Sequence, residues 1–297
     1  MVKSSSHPQI VLHLGAHKTA STHLQLSLRE AGNILQDAGV RFYGPESLRK
    51  LGHTLAERFG FPFDPTRARD DTDPLAELER MADGAGRIVF SEENFAGNFQ
   101  RGWGKVPLPL YPQAPERITK LSRALGRKID VCIAVRHPSD FLASIYSQIL
   151  LSGKDVTPDE FLVRNMPSEV DWSNYIADLR QAEGTGALTV WRYEDYGVQF
   201  NTICTALVGE KAGPQIAPVE DRAMPRLSEA AVGAVLSQRV LGNEKRPVRD
   251  IAIELPATPD NPPFELFDPD LRSVADDYYM AQVAAIGETP GVTLLRP

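Results

Sequence analysis

Ile10 to Leu14 (IVLHL) is a short apolar run that stops at Gly15, and a helical pattern follows almost at once. Leu24, Leu28, Ala31 and Leu35 recur at spacings of three and four, and Gly39 is a natural helix stop. A buried strand handing over to a helix through one tight loop is the first half of a βαβ unit. Three further apolar runs read as strands of the same kind: Arg87–Ser91 (RIVFS), Ile129–Val135 (IDVCIAV) and Ala187–Tyr193 (ALTVWRY). Strands alternating with helices predict an α/β fold with a mostly parallel central sheet and helices on both faces.

The intervening helices are legible too. The segment PERITKLSRALG turns Ile118, Leu121 and Leu125 inward and ends at Gly126. After Pro138, the residues Phe141, Leu142, Ile145 and Ile149 mark one helical face, closed by Gly153. Thr157-Pro158-Asp159-Glu160 is a capping box that starts another helix. Trp172 to Ala182 and a segment through Leu207 complete the series. Residues 62–74, 101–115 and 243–263 are rich in proline and polar groups and read as surface connections. Trp103 and Tyr111 give residues 101–115 a second reading, as a lid over a ligand. Beyond about residue 215 the periodicity weakens. The expectation is one domain over residues 1–297, with a core at about 9–215 and a helical C-terminal subdomain at about 216–297.

With 42% hydrophobic residues and 24% charged residues, the chain has material for a sizeable core. No stretch approaches the roughly 20 apolar residues of a membrane span, and the N-terminus lacks the pattern of a signal peptide. The cytoplasm is therefore the expected location. Cys132 and Cys204 sit in apolar surroundings and read as buried thiols, and the six histidines show no zinc spacing. A formal net charge of −7 argues against long nucleic acid as a partner and, more weakly, against a polyanionic acceptor. A small anionic ligand needs only a few well-placed cations.

Two constellations supply such cations. The first is Gly15-Ala16-His17-Lys18-Thr19-Ala20-Ser21-Thr22, directly after strand one. Backbone N–H groups, the positive end of the helix and Lys18 together suit a phosphate, with Thr19, Ser21 and Thr22 as further donors or as caps. The glycines of a nucleoside-triphosphate loop would fall on Leu12 and His17, so the ATP-type motif does not fit. The second is Val135-Arg136-His137-Pro138 at the end of strand three, with Ser144 two helical turns on. An arginine and a hydroxyl so placed can grip a second phosphate.

Together the segments GAHKTASTHLQ and VRHPSDFLASIYSQ, with the softer LTVWRYEDY unit at residues 188–209, resemble the bacterial-type PAPS-dependent sulfotransferases over roughly residues 9–209. The resemblance implies a three-layer, P-loop-like α/β sandwich and transfer of a sulfuryl group from PAPS, leaving PAP, without a metal. It implies that His17, Lys18, Thr19, Ala20, Ser21 and Thr22 line the 5′-phosphosulfate, and that Arg136 and Ser144 hold the 3′-phosphate. Ala20 stands where glycine is frequent in the family, so the loop is expected to pass Ala20 in an ordinary backbone region.

Transfer to a hydroxyl or amine needs a base, and strand two ends in Ser91-Glu92-Glu93-Asn94-Phe95. Alternation along the strand points Glu92 and Glu93 in different directions. Glu93 is favoured as the base, from the likeness of SEENF to a run in bacterial relatives, with Glu92 close behind. His17 and His137 are alternative bases whose places beside the phosphate grips suit binding better. Lys18 is expected to stabilise charge on the leaving oxygen. Trp191, Arg192 and Tyr193 are placed to border the nucleotide, with core packing the commoner reading of Trp191, and Lys245, Arg246 and Arg249 read as a solvated basic run, with a clamp on the 3′-phosphate as the alternative. The acceptor is expected to be a small molecule or a carbohydrate. Two rival readings stand beside this one: a P-loop kinase using Mg-ATP, and an inactive module that binds PAP.

Overall fold

A computed structural model of the chain describes residues 7–68, 72–99, 104–220, 226–241 and 246–297. Its centre is a six-stranded sheet: β1 (Gln9–His13), β2 (Val40–Tyr43), β3 (Arg87–Ser91), β4 (Ile129–Val135), β5 (Thr185–Arg192) and β6 (Val292–Leu294). The spatial order is β2-β3-β1-β4-β5-β6, and every pairing is parallel. The four strands legible in the sequence are all present.

Side chains alternate along each strand, so the sheet has two apolar faces and needs cover on both. Val11, Val89, Cys132, Ala134 and Trp191 face one layer, formed by α1 (Ser21–Glu30), α2 (Gly32–Asp37) and α10 (Phe200–Val208). Ile10, Leu12, Ile88, Phe90, Val131, Ile133 and Val135 face the other. That second layer begins with α3 (Pro45–Leu48), α4 (Leu55–Arg58), α5 (Pro74–Ala82) and α6 (Ala114–Leu125). It continues through α7 (Pro138–Leu151), α8 (Pro158–Leu162) and α9 (Trp172–Gln181). It is completed by α11 (Glu229–Leu241), α12 (Val248–Glu254) and α13 (Pro269–Glu288). The result is a three-layer α/β sandwich. Both cysteines are free and buried, and Trp191 is core.

Two strands leave no clear mark in the sequence. β2 is four residues long and only its first residue is buried, which leaves little hydrophobic signal. β6 has three residues, yet it pairs with β5 from Leu188↔Val292 to Val190↔Leu294. The segment read as a helical subdomain therefore also completes the sheet, and α11, α12 and α13 share the apolar cluster of β4. Residues 104–115 differ from a surface connection as well: Val106, Leu110 and Tyr111 are buried. Trp103 lies outside the described residues. Among the described residues, no helix is long and apolar enough to cross a membrane.

Register is what builds the functional edge. β1 and β3 pair from Gln9↔Arg87 to His13↔Ser91, so the loops after His13 and Ser91 leave the sheet side by side. Two more backbone bonds extend the ladder past the strands, Leu14 N–H to Cys132 O at 3.0 Å and Glu92 N–H to His13 O at 3.1 Å. The segments after β3, β1 and β4 thus converge at the carboxyl ends of three adjacent strands, where open parallel sheets bind ligands.

Candidate functional site

The loop after β1 is built on backbone turns that are unusual outside glycine. Gly15, Lys18 and Ala20 have φ of 55°, 66° and 63°. Gly15 is required there for a second reason, since a Cβ would lie 2.4 Å from Ser21 Oγ. Ala20 corrects the sequence expectation: it adopts the left-handed region rather than an ordinary one, because the loop must turn sharply into α1. A left-handed non-glycine residue costs roughly 1–2 kcal/mol. Ala20→Gly is therefore expected to raise stability by up to about 1 kcal/mol, after subtracting glycine's larger unfolded-state entropy. Chemical denaturation would show it, and a clear loss of stability would refute the strain.

The hydroxyls of this loop divide by task. Thr19 is buried and spends its hydroxyl on its own turn, donating to Ala16 O at 2.6 Å and accepting from Ala16 N–H at 3.2 Å. Thr22 is exposed on the first turn of α1. Ser21 is buried, and its Oγ has no hydrogen-bond partner. Helix α1 starts at Ser21 with no capping side chain and no acid in its first turn. Its free N–H groups, its dipole and Ser21 Oγ are all left for an anion.

Two cations complete this corner. Lys18 Nζ donates to Gln148 Oε1 at 3.3 Å, a neutral partner on α7. Ser144 is buried one turn earlier on the same face of α7. Arg136, at the end of β4, donates from a terminal nitrogen to Lys18 O at 2.5 Å, while its Nε is buried without a partner. Its guanidinium lies 4.2 Å from the Tyr193 ring centroid, and its carbonyl accepts from Trp172 Nε1–H at 2.7 Å. Burial pushes the Lys18 ammonium below its usual range, and the Arg136 charge pushes the same way. Burial lowers Arg136 as well. Among the described residues neither cation has a carboxylate partner within ion-pair distance. Two desolvated cations, an uncapped helix terminus and the unpartnered Ser21 Oγ and Arg136 Nε thus lie at one corner of the sheet edge.

His137 serves structure beside this site. Its N–H donates to Glu194 Oε1 at 2.7 Å, Tyr279 O–H holds the other Glu194 oxygen at 2.9 Å, and Asp276 lies 2.8 Å from His137 Nε2. These contacts pin α13 to the start of α7. Arg246 and Arg249 are exposed, the former paired with Glu254, and Lys245 lies outside the described residues.

The chain leaves the strand at Ser91 and turns at Glu93, so the two side chains do not diverge as alternation predicts but meet at the Arg49 guanidinium, in different surroundings. Glu92 is buried, receives Arg49 through both carboxylate oxygens at 2.8–3.1 Å, and accepts from Asn94 N–H at 2.8 Å. Burial raises its carboxyl above the usual range despite those bonds. Glu93 adjoins the phosphate loop, with its Cβ 3.4 Å from where a Cβ on Gly15 would lie. One of its oxygens meets Arg49 at 2.8 Å and the other accepts from Gln25 Nε2–H at 3.0 Å. Burial pushes Glu93 upward, but the Arg49 charge and the hydrogen bonds outweigh it and leave the carboxyl below its usual range. Glu93 is thus a carboxylate ionised at neutral pH beside the loop.

His17 is committed elsewhere. Its Nε2 bonds Asn94 Oδ1 at 3.0 Å, so that nitrogen carries the proton, and Nδ1 accepts from Tyr111 O–H at 3.1 Å. The His17 backbone N–H donates to the same phenol oxygen. Tyr111, read as a lid residue, instead braces the loop from a buried position. Burial lowers His17, which keeps it neutral.

Sequence reasoning missed Arg49, His13 and the role of Gln25, Asn94 and Gln148. Gln25 and Gln148 close the two motif segments, and helical spacing from Ser21 and Ser144 places them on the site faces. Arg49 carries no such signal, lying 43 residues before Glu92 in the chain.

No family model and no curated protein matches the chain. Among solved structures it is similar to a crystal structure of a sulfotransferase from Alicyclobacillus acidocaldarius, at 14% identity and a TM-score of 0.46, with 94% of each chain covered.

Proposed function

We propose that the protein is a sulfotransferase that moves the sulfuryl group of PAPS to a hydroxyl or amine of a small-molecule or carbohydrate acceptor. The observation that carries this reading is the anion site itself: Lys18, Arg136, Ser21 Oγ and the uncapped α1 terminus converge beside an ionised carboxylate. The orphaned Ser21 Oγ and Arg136 Nε fit a ligand with phosphate oxygens at two places, as PAPS has. Lys18, Ser21 and the α1 N–H groups would hold the phosphosulfate, and Arg136 with Ser144 the 3′-phosphate. The donor supplies an activated sulfur–oxygen bond. The chain supplies the rest: Glu93 takes the acceptor proton, and Lys18 with the helix terminus stabilises charge on the leaving phosphate.

The kinase alternative needs an acid free to position Mg²⁺ at the end of β3, and Glu92 is spent on Arg49 and Asn94 N–H. Thermal unfolding with PAP and with Mg-ATP tests the choice. PAP at a hundred times its Kd is expected to stabilise by about 2.7 kcal/mol, and Lys18→Ala and Arg136→Ala are each expected to abolish that gain. Stabilisation by Mg-ATP and not by PAP would reverse the assignment. PAP binding without transfer to any of a broad acceptor panel would identify an inactive binding module.

A further inference from the structure

One half-exposed guanidinium touches both carboxylates at the end of β3. Arg49 follows the short helix α3 and reaches Glu92 through Nε, at 2.8 and 3.1 Å, and through a terminal nitrogen at 2.9 Å. A terminal nitrogen also lies 2.8 Å from Glu93 Oε1. The Glu92 side chain is 6% exposed, that of Glu93 13% and that of Arg49 43%. Arg49 therefore closes the pair from the solvent side, while Gln25 closes Glu93 from within by bridging it to Ser91 Oγ at 3.1 Å.

We infer that Arg49 is the positioning residue of the reaction centre, fixing the Glu93 carboxylate beside the loop after β1 while anchored on its other side by Glu92. This role rests on the sulfuryl-transfer reading. One guanidinium meets both carboxylates at 2.8 Å, so the three groups carry one excess negative charge when both are ionised. Burial favours the neutral form of Glu92, whereas Arg49 and Gln25 favour the ionised form of Glu93, so as pH falls Glu92 takes up a proton first and Glu93 keeps its charge. The two carboxylates consequently do different work, separated by burial and by Arg49.

Among the described residues, the groups that face Glu93 are few. Besides Arg49 and Glu92 they are Gln25 from α1, His13 from β1, His17 from the phosphate loop, and Tyr111. Both histidines are held neutral by burial, and the phenol of Tyr111 is pushed up by burial. Arg49 is the permanent cation of this set, and removing it leaves Glu93 buried against a like charge.

The test is a pair of opposite shifts. Arg49→Met is expected to move the Glu93 titration, and with it the acid limb of kcat/KM, to higher pH by about one unit or more. It should also lower the plateau by roughly 10- to 100-fold, because the carboxylate is no longer held. Glu92→Gln leaves Arg49 to Glu93 alone, so the same limb should move to lower pH. Arg49→Lys should restore much of the wild-type pH profile and less of the plateau, since an ammonium keeps the charge but not the fork. Carbon-13 NMR of the glutamate carboxyls reads the Glu93 titration directly, without turnover. A Glu93 titration unmoved by Arg49→Met, or shifted in the same direction by Arg49→Met and Glu92→Gln, overturns the inference. Absence of PAP stabilisation in the wild type would instead defeat the functional reading, and the NMR titration would still decide the role of Arg49. Should Arg49→Met fail to fold, Arg49→Lys and Glu92→Gln carry the comparison.

Discussion

Glu93→Gln is expected to reduce the turnover of sulfuryl transfer by about 10²–10⁴-fold, the usual contribution of a general base. Glutamine keeps the size of the side chain and can still accept from Gln25 or Arg49 through its carbonyl oxygen. What it loses is the ability to take a proton. PAP stabilisation should be nearly unchanged, because the donor grips proposed above are Lys18, Ser21, Arg136 and Ser144. Glu92→Gln should change the neutral-pH plateau by no more than about 10-fold, as that carboxylate is already saturated by Arg49 and Asn94 N–H. Steady-state kinetics with one fixed acceptor decides the matter. If Glu92→Gln is the more damaging at neutral pH, the two roles must be exchanged.

The second large effect is on stability, and it comes from a histidine the proposed chemistry does not use. His13, the last residue of β1, is 1% exposed, bonds Ser91 Oγ through Nδ1 at 2.7 Å, and stacks on Trp191 with ring centroids 5.8 Å apart. Desolvation by burial, partly offset by the Glu93 charge, lowers its pKa from 6.5 to about 4. The sign follows from proton counting. Above pH 6.5 neither state binds the proton and His13 adds no pH dependence. As pH falls from 6.5 towards 4, the unfolded chain takes up a proton that the native state refuses, so stability drops. The full loss is about 3 kcal/mol, since each tenfold difference in proton affinity between the two states is worth about 1.4 kcal/mol. Urea denaturation at pH 7 and pH 4.5 should show most of this loss in the wild type. His13→Gln should be less stable at pH 7 but should lack that share of the decline. An equal decline in the two proteins would mean that His13 is protonated inside the fold.

The pairing of His13 with Ser91 also shows what local pattern does not reveal. IVLHL reads as a strand because four of its five residues are apolar, and the histidine among them is silent until β3 is known to lie alongside in register. The helices are legible for a similar reason: Ile118, Leu121 and Leu125, or Phe141, Ile145 and Ile149, report a buried face through spacing alone. β2 and β6 are not, because short edge strands bury too few side chains to leave a period. Ala20 departs from its expected conformation because a loop's path depends on where the next helix docks. That packing outweighs the cost of a left-handed alanine.

The proposed phosphate grips can be read from sequence because each is local. A strand end, a tight loop and a helix start hold Lys18 and Ser21 within a few residues of one another, and the same holds for Arg136 and Ser144. Parallel layers are likewise determined by the alternation of strand and helix. The reaction centre is different in kind. The different states of Glu92 and Glu93 depend on burial and on Arg49, a residue brought to both from a distant connection beside α3. Gln148 reaches Lys18 across 130 positions of chain in the same way. Local spacing determined which residues gather at the carboxyl ends of β1 and β4. Only tertiary packing decided the charge state of the groups there, because burial and a partner's charge shift a carboxyl by amounts that depend on distances no sequence pattern encodes.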